Sequence, residues 1–166
     1  MMLGAEADKS VSTKSGRKDL VTRYDKEIQR FLEERLLSLL PEAGFLGEEA
    51  LGHDAHTERD FLFIVDPIDG TTNFVKGCNQ SCVSIGLGIR GEMAVGVVFN
   101  PYRDELFTAV KGGGALLNGA PLRIPNCAPE DALVLVGSSP YYRELTDVTF
   151  AMARLLFDRC LALRRS

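Results

Sequence analysis

Two aspartates, Asp66 and Asp69, stand three residues apart at the end of the apolar run Phe61-Leu62-Phe63-Ile64-Val65, with Pro67 between them and Gly70 directly after. Taken singly, each suits a turn or a helix N-cap, where its side chain accepts hydrogen bonds from nearby backbone amides. Taken together they pose a problem of charge. Like charges a few ångström apart repel and raise one another's pKa, so the pairing is costly unless a cation sits between them. Oxygen-only ligands of this kind suit a hard ion such as Mg²⁺, and the carbonyl of Ile68 lies between the two acids. Gly70-Thr71-Thr72-Asn73 then supplies consecutive backbone N–H groups and hydroxyls, a cradle suited to phosphate. Acidic metal ligands beside an anion cradle are the equipment for metal-assisted phosphoryl transfer to water. A third acidic element, Gly47-Glu48-Glu49, reads by itself as a solvated charge pair after a loop. As a partner to the aspartates it offers a further ligand or a general base.

Other candidate groups carry less. His53-Asp54-Ala55-His56 could chelate a metal, but a loop histidine pair beside Asp and Gly is more often solvent-facing. Cys78 and Cys82 lack a second pair at zinc spacing. Lys111-Gly112-Gly113-Gly114 is not followed by the Gly-Lys-Ser/Thr of a P-loop, and a hairpin bend accounts for it. Tyr141-Tyr142-Arg143 fits either loop packing or a partner contact.

The elements that must position these groups are legible in outline. Thr22-Arg23-Tyr24-Asp25 fits a capping box, with Thr22 as N-cap and Asp25 reaching back. Behind it Ile28, Phe31, Leu32, Leu36, Leu39 and Leu40 recur at helical spacing until Pro41 and Gly44 end the run. Phe61–Val65 reads as a buried strand that stops at Asp66. From Ser81 short β segments follow one another: Val83 to Leu87, Ala94 to Phe99, Glu105 to Val110, Ala115 to Leu117 and Leu122 to Ile124. Turn chemistry separates them at Arg90-Gly91, Asn100-Pro101, Gly112 to Gly114 and Asn118-Gly119, which predicts an antiparallel meander. A strand from Leu133 to Gly137, a helix from about Thr146 to Arg159 and the start of another element at Leu161-Ala162-Leu163 complete the layout. The expected organisation is a polar segment over 1–18, an α+β domain over 19–128 and the beginning of a second half over 129–166.

The 166 residues are 45% hydrophobic and 25% charged, enough to bury a core. A net charge of −4 gives no footprint for a nucleic-acid binder. No window reaches bilayer-spanning length, and the N-terminus is too short for a signal h-region. Four scattered cysteines read as reduced thiols and make the cytoplasm the expected compartment.

Leu46-Gly47-Glu48-Glu49 followed by Asp66-Pro67-Ile68-Asp69-Gly70-Thr71-Thr72-Asn73-Phe74 resembles the signature of the inositol monophosphatase family of metal-dependent, lithium-sensitive phosphatases. Lys14 and Asp19 through Asp25 resemble a segment upstream in that family. Val83-Ser84-Ile85, Gly96-Val97-Val98, Glu105 through Ala109 and Gly114 through Gly119 follow its sheet in order. The resemblance implies a layered α/β sandwich and Mg²⁺-dependent hydrolysis of a phosphate monoester, inositol monophosphate before 3′-phosphonucleotide, fructose-1,6-bisphosphate or histidinol phosphate. It implies Glu48, Asp66 and the Ile68 carbonyl as ligands of one Mg²⁺, and Asp66 with Asp69 as ligands of a second. Thr71 with Glu48 would activate the attacking water, and the Gly70 and Thr71 amides would receive the phosphate. Asp69 would also touch a substrate hydroxyl, while Lys14, Asp19 and Asp25 would support the metal loop. Family members carry two or three Mg²⁺ ions, are often homodimers, and have a late Trp-Asp pair whose aspartate completes the second metal site. This chain has no tryptophan, so the expectation is a truncated member with a weakened second site, exposed apolar surface over 133–163, and weak or absent turnover. A noncatalytic metal- or partner-binding fragment is the competing expectation.

Overall fold

The computed structural model describes residues 11–13, 20–49, 59–136 and 145–165. Lys14, Asp19, the His53/His56 pair and Tyr141-Tyr142-Arg143 lie outside them. The chain divides into two compact units, Met1–Arg123 and Ile124–Ser166.

In the first unit, β1 (Val11–Thr13) pairs antiparallel with β2 (Leu20–Thr22), which runs directly into α1 (Arg23–Leu39). The helix starts where the capping box places it. Tyr24 N–H donates to Thr22 Oγ1, and Thr22 N–H donates to Asp25 Oδ2 at 2.8 Å. The buried stripe of α1 differs from the apolar periodicity. Leu32, Leu36, Leu37 and Leu40 pack on a core of Ala43, Phe63 and Val65, whereas Phe31 and Leu39 face solvent. The N-terminal half of the stripe is instead polar, with Asp25 and Gln29 buried one turn apart. Hydrophobic periodicity cannot see a buried face made of a carboxyl and a carboxamide.

The main sheet has seven strands in the order β3-β4-β5-β6-β7-β8-β9: Gly44–Gly47, Phe61–Asp69, Cys82–Ile89, Glu92–Asn100, Glu105–Val110, Gly114–Leu117 and Ala120–Leu122. From β4 to β9 every neighbour is antiparallel and sequential, as the turn residues predict. Arg90-Gly91 and Asn118-Gly119 both adopt positive φ at the two central positions, the conformation that matches a two-residue hairpin to strand twist. The edge strand β3 has almost no local signal: only Phe45-Leu46 between two glycines marks it. It lies parallel to β4, with Gly47 opposite Val65.

The largest departure falls at the acidic turn. The strand does not stop at Asp66 but continues through Asp69. Asp66 pairs with Ser84 and Asp69 with Cys82, so three steps along β4 match two along β5. This is a β-bulge, one of the few places a sheet tolerates the proline at position 67. The short helix α2 (Thr71–Lys76) follows immediately.

The second unit holds a 3₁₀ turn (Pro129–Asp131), β10 (Leu133–Val136), α3 (Thr146–Phe157) and β11 (Ala162–Arg165), with β10 and β11 parallel. Leu133, Leu135, Phe150, Leu155 and Phe157 are all exposed. Among the described residues no helix is long and apolar enough to cross a membrane.

Candidate active site

The bulge explains the spacing of the two aspartates. Residues three apart on a regular strand point to opposite faces. Ser84 and Cys82 are two apart on β5 and share a face, so their partners Asp66 and Asp69 share it as well. The thiol of Cys82 reaches Asp69 Oδ2 at 3.8 Å on that side. Phe63 and Val65 pack with α1 residues, which leaves Ile64 and Asp66 on the opposite face of β4. There a cavity of about 710 Å³ is lined by Glu48, Ile64, Asp66, Ser84 and Met93 among others.

Glu48 enters from the parallel edge strand. Its N–H donates to Val65 O at 3.0 Å, carrying the ladder one residue past Gly47. Burial pushes the carboxyl of Asp66 up to about 7, helped by the charge of Glu48, a hydrogen bond with the Glu48 carboxyl and the charge of Asp69. The Ile68 N–H, donating to Asp66 Oδ1 at 3.1 Å, acts in the opposite direction. Two carboxyl groups hydrogen-bond only when one of them carries a proton, so that proton does what a cation would otherwise do. Burial, then Asp69 and Asp66, also pushes the Cys82 thiol up.

Thr71, the first residue of α2, links the acidic corner to α1. Its hydroxyl lies 3.0 Å from Ile68 O and 3.2 Å from Asp25 Oδ1. A hydroxyl has one proton to donate, so it serves one of these acceptors at a time, and donation to Asp25 frees the Ile68 carbonyl. Asp25 is fully buried and also accepts from Thr22 N–H and Thr22 Oγ1, the latter at 2.5 Å. Gly70 caps α2 at φ +88°, and a Cβ there would stand 2.9 Å from Gln80 O, so only glycine fits this bend.

The structure therefore brings Glu48, Asp66 and Asp69 into electrostatic contact, and Thr71, Asp25 and Ile68 into hydrogen-bond contact. Among the described residues no three His, Cys, Asp or Glu side chains close into a ready ligand cage. The donor chemistry nonetheless fits a hard divalent ion: three carboxyl groups, a backbone carbonyl and a hydroxyl, all oxygen, with mutual repulsion already expressed at Asp66. No local pattern announces the contact between Asp25 and Thr71, because the two lie 46 positions apart and only the fold joins them.

A pH dependence follows. The folded chain holds the Asp66 proton up to about pH 7, whereas the unfolded chain releases it near 3.8. Between those values the native state binds more protons, so stability falls as pH rises. Solvent reaches the half-buried carboxyl and screens part of this effect, so metal-free wild type is expected to lose about 2–4 °C of Tm between pH 5 and 8 relative to Asp66→Asn, measured by parallel thermal melts.

Comparison with known proteins gives a consistent picture. A family model described as the inositol monophosphatase family matches residues 2–165. The chain is 48% identical over 112 residues to inositol monophosphatase 3 of Solanum lycopersicum, an alignment covering 66% of this chain and 41% of that protein. The crystal structure of the extragenic suppressor protein SuhB from Bartonella henselae superposes with a TM-score of 0.82 at 33% identity, covering 93% of this chain and 60% of that one. An IMPase/NADP phosphatase complexed with Mg²⁺ and phosphate matches with a TM-score of 0.79 at 30% identity, over 95% of this chain and 58% of that one. The chain thus spans about half the length of the relatives it matches.

Proposed function

The chain belongs to the inositol monophosphatase family, and from that premise we propose that its acidic corner serves the Mg²⁺-dependent hydrolysis of a phosphate monoester, inositol monophosphate first among them. The observation that supports this most is the bulge at Pro67-Ile68, which turns Asp66 and Asp69 to one face of β4 beside Glu48. Glu48, Asp66 and the Ile68 carbonyl are the donors for one ion, and Asp66 with Asp69 for a second. When bound, the ions neutralise phosphate oxygens and acidify a coordinated water.

The remaining work falls to this chain's own groups. Thr71 holds its hydroxyl at the corner through Asp25, and its lone pairs are free to accept from a water. Glu48 is the base for that water. The Gly70 and Thr71 amides stand at the start of α2, where N–H groups lack helical partners and suit a phosphate oxygen. Asp69 is the group placed to accept from a substrate hydroxyl. Asp25 takes the place of a support for Thr71, and Lys14 and Asp19 that of supports for the metal loop. A cytoplasmic setting is part of the proposal, since all four cysteines are free.

The test is phosphate release from a panel including inositol monophosphate and NADP across a Mg²⁺ series, with and without Li⁺. Release that requires Mg²⁺ and falls with Li⁺ is the expected result. Mg²⁺ uptake without release from any monoester would make this chain a metal-binding module instead.

A further inference from the structure

We propose that Gln29 is a positioning residue for Glu48, holding the Gly47–Glu49 backbone so that the Glu48 carboxyl stays against Asp66; the inference rests on the phosphatase reading above. A carboxamide in an apolar stripe is costly unless its polar atoms are bonded. Gln29 occupies such a place on α1, 8% exposed and one turn beyond Asp25 on the same buried face. Its Oε1 accepts the Glu49 N–H at 2.9 Å, twenty positions away in sequence. Its carboxamide also lies directly on Gly47, where an added Cβ would collide with Cδ, Oε1 and Nε2 alike. A side chain at position 47 would therefore displace the Gln29 carboxamide from this place. From the other side the Glu48 N–H is fixed on Val65 O.

The peptide groups on both sides of the Glu48 Cα are thus pinned, one to β4 and one to α1. Gln29 acts through the backbone, and its neutral amide oxygen does so without adding a negative charge to a corner that already holds Glu48, Asp66 and Asp69. Asp25 and Gln29 together make α1 a rail: one grips the segment bearing Thr71, the other the segment bearing Glu48.

The experiment is calorimetric titration of Mg²⁺ into the metal-free 166-residue chain and its variants at one fixed pH, with thermal melts in parallel. Gln29→Met keeps the length and removes the acceptor; it is expected to raise the Mg²⁺ Kd by about 10-fold or more. A folded Gln29→Met with a lower Tm and an unchanged Kd would reduce Gln29 to packing and overturn the assignment. Should Gln29→Met fail to fold, Gly47→Ala decides, since it pushes on the same carboxamide with Gln29 in place: a raised Kd supports the assignment and an unchanged one ends it. Wild type that takes up no Mg²⁺ would bring down the phosphatase reading and this inference together, whereas normal uptake by wild type and every variant would remove the inference alone.

Discussion

On the proposed function, Asp66→Asn is expected to reduce whatever Mg²⁺-dependent phosphate release the chain gives by on the order of 10³-fold, because the charge stabilisation a bound cation supplies is worth several kcal/mol. Asp66 is the acid through which the other two interact: it hydrogen-bonds Glu48 and feels the charge of Asp69. Its replacement keeps the shape of the side chain and the acceptor for the Ile68 N–H, so the bulge is expected to survive. The metal-free variant should melt no lower than wild type near pH 8, since it has lost a repulsion and not a support. Loss of release together with an undiminished Tm is the signature of a removed ligand. Release that persists in Asp66→Asn with the same Mg²⁺ dependence would show that the cation is held elsewhere.

The second large effect is on stability. Asp25→Ala is expected to cost about 3 kcal/mol, combining the loss of a helix cap with buried donors left unpaired. Three protons converge on this carboxyl, from Thr22 N–H, Thr22 Oγ1 and Thr71 Oγ1, and the residue is wholly inaccessible to water. Urea denaturation of wild type, Asp25→Ala and Thr71→Val separates the parts. Thr71→Val removes one of the three bonds and should cost roughly 1 kcal/mol. An Asp25→Ala chain as stable as wild type would mean that the cap contributes nothing to α1.

Much of this was written in local sequence, and the reasons it was legible are physical. The capping box needs only four residues in a row, and Thr22 to Asp25 supply them. The hairpins need left-handed backbone at known positions, which Arg90-Gly91 and Asn118-Gly119 declare. What stayed hidden depends on partners far along the chain. The bulge exists only relative to β5, so no property of Asp66-Pro67-Ile68-Asp69 alone reveals that both acids share a face. The parallel strand β3 is stabilised by β4 and carries too few residues to announce itself. Nothing local marks Gln29 as buried, since the Glu49 amide it accepts from lies twenty positions away.

The extra residue in β4 also works as a change of phase. Before it, alternation assigns Phe63 and Val65 to the helix side and Ile64 and Asp66 to the other; after it, the odd and even positions exchange sides. A strand can therefore be greasy on one surface along its whole length and still end with a double negative on the reverse. A one-residue insertion or deletion anywhere in β4 shifts this phase: between Phe61 and Val65 it would turn core residues to the other face, and within Pro67-Ile68 it would rotate one acid relative to the other or strip out the carbonyl between them. The corner's chemistry is thus encoded in a count of peptide units.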